Sequence, residues 1–151
     1  MAVFQDKAIF PGLYSSLVEV AEFVKKGAQA AEFDSAVSYH IELALDEAVS
    51  NVIEHAYGGE GKGDIELEYI AEPQRLTYLI IDHGQPFQPE NVDKPDIKAP
   101  LNNRKGHGWG LYLVNCLMDE VHFEFDEVTG NKLILVKYRE RLEWHNSPGL
   151  R

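Results

Sequence analysis

Residues 42–57 read ELALDEAVSNVIEHAY. Ala44, Leu45, Ala48, Val49, Val52, Ile53 and Ala56 recur there at helical spacing, and Val37 and Ile41 carry the row upstream. A row this long predicts an amphipathic helix. Asp34 stands where an N-cap belongs, and Gly58, Gly59, Gly61 and Gly63 stop the helix after Tyr57. At about 100° per residue, counted from Glu47, Asn51 falls near 40°, Glu54 near −20° and His55 near 80°, while Leu45, Val52 and Ala56 lie at about 140–180°. Most polar helix faces of this kind are only solvated surface. Asn51 is different, because Asn is a poor interior helix residue. One turn apart, Glu47 and Asn51 can present a carboxylate and an amide oxygen to one small site. A Glu can serve as a general base, and an amide oxygen suits hard Mg²⁺.

Upstream of this helix, Val3 to Phe10 is a strand candidate that Pro11 and Gly12 break. Leu13 to Ala31 reads as a helix with Leu13, Leu17, Ala21 and Val24 on one stripe. Downstream the period changes to two: Ile65, Leu67, Tyr69 and Ala71 alternate with Glu66, Glu68 and Glu72. Leu76 to Ile81 is a second strand after a turn at Pro73–Gln74. Val121, Phe123 and Phe125 alternate in a third, and Lys132 to Tyr138 follows a Thr129–Gly130–Asn131 turn as a hairpin partner. This order predicts an α+β two-layer sandwich, with helices on one face of a mostly antiparallel sheet. A single domain over residues 1–151 is expected, with its core at about 13–138 and a tail of no readable role at 139–151.

Charge narrows the function. The 151 residues hold 14 Lys and Arg against 25 Asp and Glu, a formal net charge of −11. That balance excludes a general nucleic-acid binder, which needs a basic footprint, and disfavours anionic membrane surfaces. Residues 42–72 carry nine acids and one base, Lys62. A polyphosphate near that surface needs a cation to offset repulsion. Cys116 is the sole cysteine, no apolar run approaches a membrane span, and the first ten residues are no signal peptide. A cytoplasmic location is expected.

Two further constellations flank an anomaly. Asp82–His83–Gly84–Gln85–Pro86–Phe87 closes a strand; its carboxylate is either a turn-former or an acceptor for a ligand amino group. Gly106–His107–Gly108–Trp109–Gly110 leads into the apolar run Leu111, Leu113, Val114, Leu117 and Met118. Alternating glycines at a helix N-terminus favour a phosphate cradle. Neither common nucleotide fingerprint fits that spacing, and Gly61–Lys62–Gly63 lacks the rest of a P-loop. Between the two, residues 84–105 hold Pro86, Pro89, Pro95 and Pro100 and no periodicity, which favours a functional lid over a passive loop. Arg104 and Lys105 are the local cations before the glycines.

In order, these elements are a helical Glu47-x-x-x-Asn51 with His55–Ala56–Tyr57, then Asp82-x-Gly84-x-Pro86-Phe87 after a strand, then Gly108-x-Gly110-Leu111-x-Leu113 with Leu117–Met118–Asp119–Glu120–Val121. This order resembles the three boxes of the GHKL ATPase superfamily, and within it the RsbW-type anti-sigma factor serine-protein kinases. The resemblance spans about Leu13 to Tyr138. It implies the Bergerat fold and ATP bound with Mg²⁺. By position, Asn51 would be the Mg²⁺ ligand and Glu47 the base that activates the acceptor. Asp82 would take the adenine amino group, with Gly84 near the base. Gly106, Gly108 and Gly110 would cradle phosphates. His55, Pro86, Phe87, Arg104, Lys105, His107, Trp109 and Leu111 would complete the nucleotide site, although His107 occupies a variable position. The implied partners are a STAS-domain anti-anti-sigma protein, phosphorylated on serine or threonine, and a sigma factor or other switched protein held by a homodimer. The alternative is a nucleotide-gated module that sequesters a partner without significant phosphoryl transfer.

Overall fold

The computed structural model describes residues 2–86 and 106–139, and of residues 106–110 the backbone only. Strand β1 (Phe4–Pro11) leads through a 3₁₀ turn at Tyr14–Ser16 into α1 (Leu17–Ala30) and α2 (Ser35–Asn51). Strands β2 (Asp64–Ala71) and β3 (Arg75–Asp82) follow, then α3 (Gly106–Leu117), β4 (Glu120–Asp126) and β5 (Gly130–Tyr138). The strands form one sheet in the order β1-β2-β3-β5-β4, and every neighbouring pair is antiparallel. This is the predicted two-layer α+β sandwich.

Period-two patterning sets which face of the sheet is covered. Ile65, Leu67, Tyr69 and Ala71 of β2 are buried, as are Leu76, Tyr78, Ile80 and Asp82 of β3. Cross-strand register puts Leu67 opposite Ile80 and Tyr69 opposite Tyr78. That face meets α2, whose Ile41, Ala44, Leu45, Ala48 and Val49 are buried, and α2 packs against both α1 and α3. Asp34 caps α2 as expected, its Oδ1 accepting from the Val37 N–H at 2.9 Å.

Three details depart from expectation. The buried stripe of α1 is Val20, Phe23, Val24, Gly27 and Ala28; of the expected Leu13, Leu17, Ala21 and Val24 only Val24 is fully buried, and Leu17 packs half-buried against the core. The reason is phase: Leu13 precedes a 3₁₀ turn, so it is not in register with the helix that starts at Leu17. Phe23 instead packs edge-on against Phe10, with ring centroids 5.9 Å apart. The β4–β5 turn is Glu127–Thr129, closed by Asp126 Oδ1 accepting from the Val128 and Thr129 N–H groups. Gly130 and Asn131 therefore belong to β5. On β4, the outer strand, Val121 and Phe123 are half-buried but Phe125 is 52% exposed. Residues 87–105, the larger part of the predicted lid, lie outside the described residues, as does the tail from 140 onward.

Gly27 shows how tightly α1 sits on the sheet. A Cβ there would lie 2.6 Å from Tyr78 Oη and 3.0 Å from the Tyr69 ring. Tyr78 cannot swing away freely, because its buried hydroxyl donates to the Val24 carbonyl. Helix propensity favours Ala over Gly by about 1 kcal/mol, and overpacking costs about 1–3 kcal/mol. We expect Gly27→Ala to destabilise the fold, read as a lower urea midpoint; a higher midpoint would mean the sheet gives way at this contact.

Candidate functional site

The site is built where the end of α2 meets the end of β3. After Asn51 the α-helix widens into a π-turn over Val52–Ala56, with Tyr57 N–H bonding the Val52 carbonyl at 3.0 Å. The expected continuous helix to Tyr57 therefore ends as α-helix at Asn51. Single π-turns are rare and often sit at functional sites. The turn carries Glu54 and His55, both exposed, with His55 Nε2 4.0 Å from Glu54 Oε2. Glu47 and Asn51, one turn apart in α2, are half-buried. Burial first, and the adjacent Asp46 carboxylate second, raise the Glu47 pKa above the ordinary Glu value. A carboxylate raised in this way holds a proton better, which suits a base.

The π-turn delivers the Ala56 carbonyl to the loop after β3. It accepts from the Gln85 N–H at 2.8 Å. A Cβ on Gly84 would lie 2.3 Å from that same carbonyl oxygen, so glycine is required here by contact with α2. Tyr57 ties the same junction from the other side. Its hydroxyl donates to the Asp64 carbonyl at the start of β2 and accepts from the His83 N–H at 3.0 Å. Three elements are thus locked at one corner.

Asp82 ends β3 inside this corner at 4% exposure. It faces the helix layer, on the same side as Ile80, Tyr78 and Leu76. Its Oδ1 accepts twice, from the Gly84 N–H at 2.9 Å and from Asn131 Nδ2 at 2.7 Å. Both bonds fall on one oxygen, so Oδ2 retains the capacity to accept from a ligand. Burial raises the Asp82 pKa, against the lowering effect of the Asn131 and Gly84 hydrogen bonds and of His83. Asn131 is the residue that sequence reasoning missed. It read as a turn former, but it sits in β5 directly opposite Asp82. The available signal was register: a hairpin turn two residues earlier places Asn131 on the inward face.

The other expected site residues distribute as follows. Helix α3 starts at Gly106, so Gly106, His107, Gly108, Trp109 and Gly110 form its first turns and not a loop leading into it. Leu111 in α3 is half-buried and Pro86 is exposed. Phe87, Arg104 and Lys105 lie outside the described residues. Among the described residues no cluster of three His, Cys, Asp or Glu side chains could hold a metal. Any Mg²⁺ at Asn51 would therefore have to take further oxygens from a ligand, as Mg²⁺ commonly does from phosphates. The surface depression lined by Gly12, Leu13, Lys62 and Asp64 contributes none of these groups.

The geometry of Asp82 has a measurable cost. A carboxyl with a raised folded pKa contributes stability that is fully present below the unfolded pKa and is lost as pH rises through the folded value. Asp82→Asn keeps an oxygen for Gly84 N–H and Asn131 Nδ2 without the buried charge. We expect the nucleotide-free variant to melt above wild type at pH 7, and the gap to close as pH falls through the raised Asp82 value and wild type is itself neutralised. A gap that widens on acidification would contradict the burial argument.

Comparison with known proteins agrees with this architecture. The family described as Histidine kinase-like ATPase domain matches residues 10–137. Serine-protein kinase RsbW of Bacillus thuringiensis (strain Al Hakam) is 32% identical over 114 residues, 72% of this chain and 69% of that protein. RsbW of Bacillus cereus (strain AH187) is 33% identical over the same span. Among solved structures, that of the RsbU and RsbW domains of Rv1364c from Mycobacterium tuberculosis is similar with a TM-score of 0.61 at 18% identity. It covers 89% of this chain, which spans 31% of that longer one. No helix among the described residues is long and apolar enough to cross a membrane. The chain belongs to the histidine kinase-like (GHKL) ATPase family, in its RsbW-type serine-protein kinase branch.

Proposed function

We propose that this chain is a Mg-ATP-dependent protein serine/threonine kinase of a partner-switching system. Its substrate would be a STAS-type anti-anti-sigma protein, and as a homodimer it would also hold a sigma factor or another switched partner. The observation that carries the nucleotide reading is Asp82. A buried carboxylate whose Oδ1 accepts from Gly84 and Asn131, with no bond to Oδ2 among the described residues, matches the exocyclic amino group of adenine as a donor. The names of the RsbW relatives support the kinase assignment.

In this reading each residue has one task. Asp82 fixes the base, and Gly84, pressed on the Ala56 carbonyl, keeps the pocket floor close to α2. The N-terminal backbone of α3, with Gly106, Gly108 and Gly110, offers N–H groups and a positive helix end to phosphate oxygens. Asn51 would hold Mg²⁺ through its amide oxygen, and the ion would offset the phosphate charge beside an acidic surface. Glu47 would take the proton from the acceptor hydroxyl as that oxygen bonds to the γ-phosphorus and ADP departs as leaving group. Burial, with the Asp46 carboxylate beside it, raises the Glu47 pKa and makes it the stronger base.

Binding and transfer can be separated by substitution. Glu47→Gln should lower phosphoserine formation on a STAS substrate by ~10²–10⁴-fold, the usual contribution of a general base, with little change in ATP Kd. Asn51→Ala should weaken Mg-ATP binding and transfer together. The measurement pairs nucleotide titration with phosphoserine detection. Wild-type protein that binds ATP and phosphorylates no candidate would favour the sequestering module instead.

A further inference from the structure

Helix α3 is joined to the sheet by a short link only at its C-terminal end. It stops at Leu117 and β4 starts at Glu120, whereas on the other side β3 ends at Asp82 and α3 begins at Gly106. The link, Met118–Asp119, belongs to the run Leu117–Val121, to which phosphoryl transfer gives no task. Asp119 is bonded twice into β5: its N–H donates to the Val136 carbonyl at 2.9 Å, and its Oδ2 accepts from the Tyr138 N–H at 2.8 Å. Between those two partners, Lys137 lies on the helix-covered face of β5, two residues after the buried Leu135 and opposite Leu76. Its ammonium donates to the carbonyl of Leu117, the last residue of α3, at 2.7 Å, and Asp119 Oδ1 stands 3.9 Å from the same nitrogen.

A lysine at a strand end is most often a solvated surface charge. Here the side chains of Lys137 and Asp119 are only 11% and 9% exposed. Lysine is seldom buried unless paired. The last carbonyls of a helix have no intrahelical partner and favour a cation. The pair therefore clamps the C-terminal end of α3 to β5, beside the buried Val114 and Met118. We propose that Lys137 and Asp119 are positioning residues for phosphate binding: by clamping the C-terminal end of α3 they aim its N-terminal turn at the phosphates of the nucleotide. The inference rests on the reading of that turn as the phosphate cradle. The lever is long. The helix has 12 residues and spans about 18 Å, so a tilt of about 5° at the clamp moves the far end by about 1.5 Å. Hydrogen bonds from its N–H groups do not tolerate that shift, and a misplacement of about 1 Å is enough to cost about a hundredfold in catalysis. Packing on α2 restrains α3 from one side, and the clamp supplies the tie to the sheet.

The test measures the Kd of ADP and of adenosine by NMR titration of the full chain with Mg²⁺. The two ligands share a base and a sugar, so their affinity ratio isolates the phosphates. Lys137→Met keeps the stem and removes the charge and the donor. It should weaken ADP by about 10–100-fold and change adenosine by less than about twofold. Lys137→Arg, which returns a cation to the Leu117 carbonyl, should restore ADP affinity to within about threefold of wild type. Asp119→Asn keeps an acceptor for the Tyr138 N–H and loses the charge beside Lys137. It should weaken ADP selectively as well, though less, and it carries the comparison if Lys137→Met does not fold. An ADP-to-adenosine ratio that stays at the wild-type value in the folded variants, with both affinities kept or both lowered, would overturn the proposal and leave the pair a structural clamp only. Wild type that binds adenosine as tightly as ADP would overturn the phosphate-cradle reading of α3 itself, and the proposal with it.

Discussion

The candidate site depends on one close approach: the backbone of Gly84 lies against the carbonyl of Ala56, with no room for a Cβ between them. Ala56 ends the π-turn after α2, and Gly84 follows β3 by two residues. The contact therefore sets how far the helix that carries Glu47 and Asn51 stands from the strand that carries Asp82. The hydrogen bond from Gln85 N–H to the same carbonyl fixes its direction. As the last residue of the helical turn, Ala56 has a carbonyl with no intrahelical partner, and the loop after β3 supplies one. Tyr57, bonded to both the Asp64 carbonyl and the His83 N–H, holds the corner from the β2 side.

Polar groups inside this corner are arranged at some expense of stability. Asp82 is buried with its pKa raised, and Asn131 keeps a buried oxygen without a partner. Leaving such a group unpaired costs about 1–3 kcal/mol. An apolar pair on β3 and β5 would serve the core better, since Leu133 and Leu135 of β5 already pair with Ile80 and Tyr78 of β3 across the same face. Rules of packing are broken at one end of an otherwise well-patterned sheet, which is where a functional site is expected. Glu47 is raised for a related reason, partial burial next to Asp46.

Elements with a strong period were legible in the sequence. The α2 row from Ile41 to Ile53 and the alternation of β2 appear in the structure as patterned, because burial on one face dictates both. The Asp34 cap was legible because its chemistry is local. What failed was phase and register. The stripe of α1 depends on where the 3₁₀ turn ends, which Leu13 does not reveal. The π-turn after Asn51 leaves no mark on a helical wheel built at constant angle. Asn131 was hidden for the same reason: Thr129–Gly130–Asn131 looks like a turn, and only a hairpin closed at Asp126 moves Asn131 onto the inward face opposite Asp82. The order of the three boxes pointed to the family, and the sheet order β1-β2-β3-β5-β4 explains how distant boxes converge, by placing β5 between β3 and β4.

The central claim is that an adenine nucleotide sits at the α2–β3 corner with its base on Asp82 and its metal at Asn51. A crystal structure of the full chain with Mg²⁺ and a non-hydrolysable ATP analogue tests it most directly. The account predicts the exocyclic amino group within hydrogen-bond distance of Asp82 Oδ2 and the Asn51 amide oxygen among the Mg²⁺ ligands. A nucleotide bound elsewhere, or a base in this corner that donates nothing to Asp82, would contradict it.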